Sequence, residues 1–223
     1  MARIALIHAL THSMGPINRA FELHWPQAAV MNLLDDSLSS DLAKGSLDAR
    51  MYERFETLAT YAVGCGADAI LFTCSAFGPC IDAVARKYAS IPVLRPNEAM
   101  IAAAVAQGNR IGLVASFAPT LRSMPAEFPS SVNVDVEWAE GALEALERGD
   151  LVQHDMLAAC AAQRLSHRGC DVIALAQFSL ARAADTVRST IDVPVLTTVD
   201  SAVEMLMRRI KLHESTRAAG SVE

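Results

Sequence analysis

Apolar positions in this 223-residue chain fall into short unbroken runs separated by longer, mixed stretches. Ile4-Ala5-Leu6-Ile7, Ile70-Leu71-Phe72 and Val172-Ile173-Ala174-Leu175 show no alternation of apolar and polar residues. That is the pattern of parallel strands buried on both faces. Between the runs, apolar residues recur at helical spacing. The first half predicts strand Arg3–His8, helix Pro16–His24, strand Ala29–Leu34 and helix Leu47–Gly64. Strand Ala69–Thr73, helix Pro79–Tyr88 and a short strand Pro92–Leu94 follow. The second half predicts strands Arg110–Ala115, Val132–Glu137, Val172–Ala176 and Pro194–Leu196.

The two halves also match each other in letters. Arg3-Ile4-Ala5-Leu6-Ile7 aligns with Arg110-Ile111-Gly112-Leu113-Val114 at an offset of 107, and Phe21 falls on Phe128. The stretch from Gly66 aligns with that from Gly169 at an offset of 103, pairing Asp68 with Asp171, Ile70 with Ile173 and Asp82 with Asp185. Pro92-Val93-Leu94 matches Pro194-Val195-Leu196. Three blocks in order indicate an internal duplication of about 105 residues, near the usual domain size. The expected fold class is α/β: two homologous doubly wound domains, each with a four-stranded parallel sheet. Their expected extents are residues 1–96 with 200–223, and residues 97–199, because Asn97–Gln107 and Asp200–Arg209 follow equivalent strands and are expected to cross to the opposite half. The active site is then expected in the cleft between the halves.

Composition narrows the function. Hydrophobic residues make up 52% and charged residues 20%, with mean hydropathy +0.26, which excludes a disordered chain. Aromatics are only 5%, so small aliphatic side chains build the interior. The formal charge is −6 and no Lys/Arg cluster occurs, which argues against a nucleic-acid partner. No apolar run reaches the ~18 residues of a membrane helix. Ile4–Leu10 is too short for a signal segment and reads as a buried strand, so a cytoplasmic protein without membrane partners is expected. Five cysteines occur, with no C-x-x-C and no zinc-like His/Cys spacing, so neither a disulfide framework nor a metal site is expected. There is no G-x-G-x-x-G and no P-loop, and Lys44, Lys87 and Lys211 lie away from the strand ends. The expectation is therefore no cofactor: no metal, nucleotide or pyridoxal.

Ligands of parallel sheets sit beyond the carboxyl ends of the strands. In the first half these ends carry His8, Thr11, His12 and Ser13, then Asp35 and Asp36, then Cys74, Ser75, Ala76 and Phe77. In the second they carry Ser116, Phe117 and Thr120, then Glu137 and Glu140, then Gln177, Phe178 and Ser179. The Cys74 loop joins a buried strand to a helix able to start at Pro79. Loop amides and the helix start there would favour a carboxylate and lower a thiol pKa, giving thiolate near neutral pH. A cysteine that simply ends a buried strand is the alternative. Cys65, Cys80, Cys160 and Cys170 read as core. His24, His154, His167 and His213 read as helical surface. Phe77, Phe117 and Phe178 suggest an apolar pocket, with core packing as the alternative.

A duplicated α/β chain with a cysteine after the third strand of its first half resembles the aspartate/glutamate/hydantoin racemase superfamily. Cys74-Ser75-Ala76 stands where the family resembles Cys-Asn-Thr or Cys-Asn-Ser. Ala115-Ser116-Phe117-Ala118-Pro119-Thr120 stands where it resembles Ala-Thr-x-x-Thr. The likeness spans nearly the whole chain. It implies a cofactor-independent racemase or isomerase acting at the α-carbon of an amino acid or related small carboxylate, with one thiol from each half. It also implies a small carboxylate ligand; a homo-oligomer, dimeric or higher, is the expected assembly. The chain departs from the pattern at Ala176-Gln177-Phe178-Ser179, where the family resembles Gly-Cys-Thr, so the partner of Cys74 is Gln177. Cys170 lies before the strand and cannot replace it.

Relatives with one thiol exist. Arylmalonate decarboxylase resembles this layout with its cysteine in the other half, and the maleate isomerase branch uses cysteine as a nucleophile. Three chemistries stay open: one-thiol racemisation, cofactor-free decarboxylation with protonation by Cys74, and isomerisation through a thiol adduct. His8 is the candidate second acid/base, with an unperturbed pKa of ~6.5. Thr11, Ser13, Ser75, Ala76, Ser116, Phe117, Thr120, Gln177, Phe178 and Ser179 are the candidate binding residues. Ser75, Ser116, Thr120 and Ser179 could donate hydrogen bonds to a developing enediolate, and Gln177 could donate its amide to a carboxylate. Helix capping is the alternative role for Ser13 and Thr120. Asp35 and Asp36 could bind an ammonium group or hold a histidine, or be solvated. A non-catalytic small-molecule binding protein is the remaining alternative.

Overall fold

The computed structural model describes residues 1–219, so the end of the expected first domain, residues 220–223, lies outside the described residues. The chain forms two compact units, one of Met1–Glu98 with the chain from Ala202 onward, the other of Ala99–Ser201. The first contains β1 (Arg3–His8), α1 (Met14–His24), β2 (Ala29–Leu34), α2 (Ser37–Lys44), α3 (Ala49–Gly64), β3 (Ala69–Phe72), α4 (Gly78–Lys87) and β4 (Val93–Leu94). The second contains α5 (Glu98–Gln107, from Ala99), β5 (Arg110–Ala115), α6 (Ala118–Ser123), β6 (Asn133–Trp138), α7 (Ala142–Glu147), α8 (Leu151–His167), β7 (Val172–Leu175), α9 (Ala184–Arg188) and β8 (Val195–Thr197). Helix α10 (Thr198–Ala219) belongs to the first unit from Ala202. The sheets are all-parallel and four-stranded, ordered β2-β1-β3-β4 and β6-β5-β7-β8. This is the expected α/β architecture. Among the described residues no helix is long and apolar enough to cross a membrane.

The unbroken apolar runs are explained by cover on both faces. In the second unit Ile111, Leu113, Val172 and Ala174 pack with Met100, Ile101 and Ala104 of α5. Their alternates Val114, Ile173 and Leu175 pack with Ala158, Ala162 and Leu165 of α8. A Cβ on Gly112 would stand 2.6 Å from Ile173 and 3.0 Å from Leu165, so glycine is what lets α8 lie this close to β5. In the first unit Ala5, Ile7, Ile70 and Phe72 meet Met51, Phe55 and Ala59 of α3. Phe55 stacks at 5.3 Å on Phe72 and tilts at 4.9 Å on Phe77. Each such buried ring contributes roughly 1.5–3 kcal/mol.

The matched letters of the duplication sit mainly at the amino ends of the sheets. Helices α3 and α8 start on Asp48 and Asp150, each accepting a backbone N–H three residues on. Both end in a left-handed glycine, Gly66 at φ +79° and Gly169 at φ +81°. The next N–H then turns back, Ala67 to Ala62 and Cys170 to Leu165. Asp68 and Asp171 accept the backbone N–H of Arg3 and Arg110 at 2.8 and 2.9 Å, tying the third strand to the first. Helix α2 is not expected from the sequence, because only Leu38 on it is buried and the apolar stripe is too thin to read.

Candidate functional site

Strand β1 ends on His8, whose side chain is fully buried. Its Nδ1 lies 3.0 Å from Ser13 Oγ and 2.9 Å from Thr73 Oγ1, and its Nε2 lies 2.9 Å from Asn32 Oδ1. The tautomer follows from the outer partners. Asn32 donates its Nδ2 to Asn18 Oδ1 at 3.2 Å, which turns Asn32 Oδ1 toward the ring. Nε2 must therefore carry the proton, and Nδ1 accepts from a hydroxyl. Ser13 Oγ also reaches the Leu10 carbonyl at 2.7 Å and Thr73 Oγ1 at 2.9 Å. Burial pushes the His8 pKa below its ordinary value, against the Asn32 hydrogen bond that raises it. The ring is thus a neutral, fully partnered group.

Cys74 follows Thr73 at the end of the β3 segment and is half-buried against the first-unit core. Ser75–Phe77 form one 3-10 turn before α4, which carries Pro79 in its first turn. Burial pushes the thiol pKa up, and the backbone N–H of Ala76 opposes this without overcoming it. The expected neutral-pH thiolate is therefore corrected. The turn does supply a donor, but desolvation of a buried anion outweighs one N–H. Burial thus favours the thiol over the thiolate at Cys74.

The second unit is built differently at the matching place. Ser116 follows β5 and is nearly buried. Its backbone N–H and its Oγ both point at Gln177 Oε1, at 2.6 and 3.0 Å. Trp138 Nε1 donates to the Ser116 carbonyl at 3.3 Å and holds that peptide. Ser116 thus spends both donors on Gln177, which corrects its expected role as a donor to an enediolate. Phe117 is 48% exposed, Phe178 is buried, and Ser179 and Thr120 are half-buried.

Thr11, Ser75 and Ala76 are exposed in the first-unit loops, as is His12. Ser13 stands at the α1 start but makes no capping bond, because its hydroxyl is committed to the His8 cluster. Thr120 lies inside α6, whose cap position is Phe117, so it does not cap either. Phe77 is fully buried core, tilted against Phe55, and so presents no exposed face to a pocket. Asp35 is paired to Arg54 at 2.5 Å. Burial of Asp35 is outweighed by Ser37 and Arg54, which hold its carboxyl below the usual range. Asp36 is exposed. Glu137 is engaged by Arg164 and Arg168. Cys80 and Cys170 are buried as expected, but Cys160 is exposed and Cys65 half-buried, because α8 turns its Ala158–Ala161–Ala162–Leu165 stripe inward and leaves position 160 outside.

His154 is also a correction. It is fully buried, with Nδ1 2.7 Å from Asp155, which in turn accepts two nitrogens of Arg182 at 2.9 Å. Asn32, Asn18, Thr73 and Trp138 are the site residues that sequence reasoning missed. Asn32 had a signal, a polar residue inside the apolar strand AVMNLL. A cavity of about 370 Å³ opens in the first unit beside Asp41, Lys44, Asp48 and Arg54, and none of the candidate residues lines it. Among the described residues no cluster of three or more His, Cys, Asp or Glu is placed to hold a metal ion.

The sequence profile of the Asp/Glu/Hydantoin racemase family matches residues 39–206, well over half of the chain. The chain belongs to the Asp/Glu/Hydantoin racemase family. The sequence matches no curated protein significantly. Among solved structures it is similar to glutamate racemase from Francisella tularensis in complex with D-glutamate, at 15% identity and TM-score 0.68, covering 96% of this chain and 82% of that one. It is similar to allantoin racemase from Klebsiella pneumoniae at 19% identity and TM-score 0.67, covering 99% and 89%. Unliganded arylmalonate decarboxylase aligns at 14% identity and TM-score 0.64, covering 94% and 93%. These likenesses carry the fold. Within the racemase family frame, the first unit of this member carries a half-buried thiol at the end of its third strand and the second carries a tethered amide at the matching position.

Proposed function

We propose that this racemase-family chain is a cofactor-independent racemase or isomerase acting at the α-carbon of an amino acid or related small carboxylate, with Cys74 as its acid/base. The observation that carries the reading is the Cys74 thiol, set at the end of a buried strand beside the His8–Thr73–Ser13 cluster. Cys74, after losing its proton to water, takes the α-proton, and the C–H electrons move into the substrate carbonyl or carboxylate. The same thiol returns a proton to carbon. Gln177 holds no transferable proton in this range, so water supplies the proton when the other enantiomer forms. His8 is fully enclosed with both nitrogens partnered, and its proposed role is to position Thr73 and hence Cys74, in place of the second base.

A second reading is favoured by the raised pKa of Cys74. A resting thiol suits decarboxylation of a malonate-type substrate. The C–C bond breaks, CO2 leaves, the electron pair forms an enediolate, and Cys74 protonates it, to be reprotonated by water.

The test is incubation in D2O with amino acids, hydantoins and arylmalonates, followed by proton NMR. Deuterium at the α-carbon without mass loss supports racemisation, and release of CO2 supports decarboxylation. Cys74→Ala should lower turnover by roughly 10²–10⁴-fold, the usual worth of a general acid or base. Cys170→Ala should stay near wild type. Equal turnover in the two variants refutes the thiol mechanism, and binding without turnover identifies a binding protein.

A further inference from the structure

Gln177 has a fixed polarity. A backbone N–H can only donate, so the Ser116 N–H at 2.6 Å forces the carbonyl oxygen of the Gln177 amide, not its nitrogen, to face it. The Ser116 hydroxyl at 3.0 Å donates to the same oxygen. Both lone pairs of Oε1 are then used. Trp138 fixes the Ser116 peptide from its carbonyl side, so the tether is itself anchored. Rotating the amide by half a turn would set donor against donor at 2.6 Å, leaving a buried N–H unpaired at a cost of about 1–3 kcal/mol. The opposite end of the side chain, Nε2, carries two N–H groups with no partner among the described residues. Gln177 itself is half-buried and so is open to a ligand. Glu137 of β6 is itself engaged by Arg164 and Arg168.

We infer that Gln177, locked by Ser116, makes the carboxyl end of the second unit a donor-only seat that accepts an oxygen of a carboxylate or ring carbonyl and rejects an ammonium group. This rests on the proposed reading, in which a small carboxylate or related carbon acid is the ligand, and it adds the residue that sets which polar group is taken. The specificity comes from orientation: a free glutamine is indifferent to donors and acceptors, whereas a tethered one is not. A site built around hydrogen-bond donors discriminates strongly, because the wrong group leaves those donors unpaired.

Gln177→Glu is the decisive change. It preserves shape, and one carboxylate oxygen keeps both Ser116 bonds, while the other replaces the NH2 with an acceptor. Binding of phenylmalonate and of hydantoin should weaken at least tenfold by calorimetry, while the melting temperature stays at or above wild type. Ser116→Ala keeps the backbone N–H and so the polarity, and should weaken phenylmalonate less than threefold. Where Gln177→Glu is poorly folded, Gln177→Leu decides, since it also lacks the two donors and should lose the same probes. Unchanged phenylmalonate affinity in the folded Glu or Leu variant overturns the inference, as does failure of wild type to bind either probe at millimolar concentration. Full activity of Cys74→Ala sinks the thiol reading instead and leaves these affinities untouched.

Discussion

Helix α3 and helix α8 end on glycines at nearly the same φ, +79° and +81°, and the aspartates two residues later grip the first strand of their unit in the same way. The carboxyl ends of the same sheets share almost nothing. His8, Thr73 and Cys74 occupy one; at the offsets of the duplication, Ala115, Ala176 and Gln177 occupy the other. The amino ends hold the strands in register and tolerate one solution, so the copies stayed alike. The carboxyl ends are where parallel sheets in general take ligands, and it is there that the two copies differ. The first unit bears the cost of a buried polar cluster, whereas the second has Ala115 and Ala176 where the first has His8 and Thr73. The two carboxyl ends thus carry different polar chemistry on the same frame.

The largest test of this comparison is to restore the missing symmetry. Gln177→Cys places a thiol at the position matching Cys74, and should raise two-sided α-proton exchange by about 10²-fold, read as racemic deuterated product by chiral chromatography. Product that is already racemic in Cys74→Ala would remove the asymmetry. Next comes the polar cluster. His8→Ala strips partners from Ser13, Thr73 and Asn32 and should cost roughly 2–4 kcal/mol in urea unfolding. Ala115, at the matching place, has no such cluster, and Ala115→Gly should cost only about 1 kcal/mol.

The pH dependence separates the halves further. His8 has its folded pKa lowered by burial, so its contribution to stability is present above the unfolded value near 6.5 and is lost as pH falls below it. His8→Gln should flatten the acid limb of a stability curve between about pH 6.5 and 5. Cys170, in the second unit, is pushed up to about 11 by burial and by Asp135. Its contribution is present below the unfolded value and is lost as pH rises through about 11, so Cys170→Ala should flatten the alkaline limb instead. The smallest effect is the shared one. Gly66→Ala and Gly169→Ala should each cost about 1 kcal/mol, and equally, because both force a side chain into the left-handed region. A difference above about 1 kcal/mol would mean that the amino ends are not equivalent after all.

The strands were legible because burial on both faces writes itself as uninterrupted apolar letters, as at Ile70–Phe72. Helix starts were less so: Pro16 sits two residues inside α1, and Pro79 one residue inside α4, because proline is tolerated anywhere in a first turn. Cys74 could be placed at a strand end from sequence. Its acidity could not, since that depends on how much of the core closes over the sulfur. The Ser116–Gln177 tether joins residues 61 positions apart, and no local pattern announces it. His154 was misread because burial is a matter of packing: α8 turns the ring inward, beside an Asp155 that is itself bound by Arg182, 27 positions further on.

The raised pKa of the Cys74 thiol has a consequence for how long the protein lasts. Peroxide attacks thiolates, and climbs the ladder from sulfenic to irreversible acids only from there. A sulfur kept as a thiol by its surroundings is a poor target, while Cys160 stands exposed on α8. Under oxidative stress the damage should fall first on Cys160, far along the chain from Cys74. The burial that slows proton loss at Cys74 thus doubles as chemical armour for that sulfur.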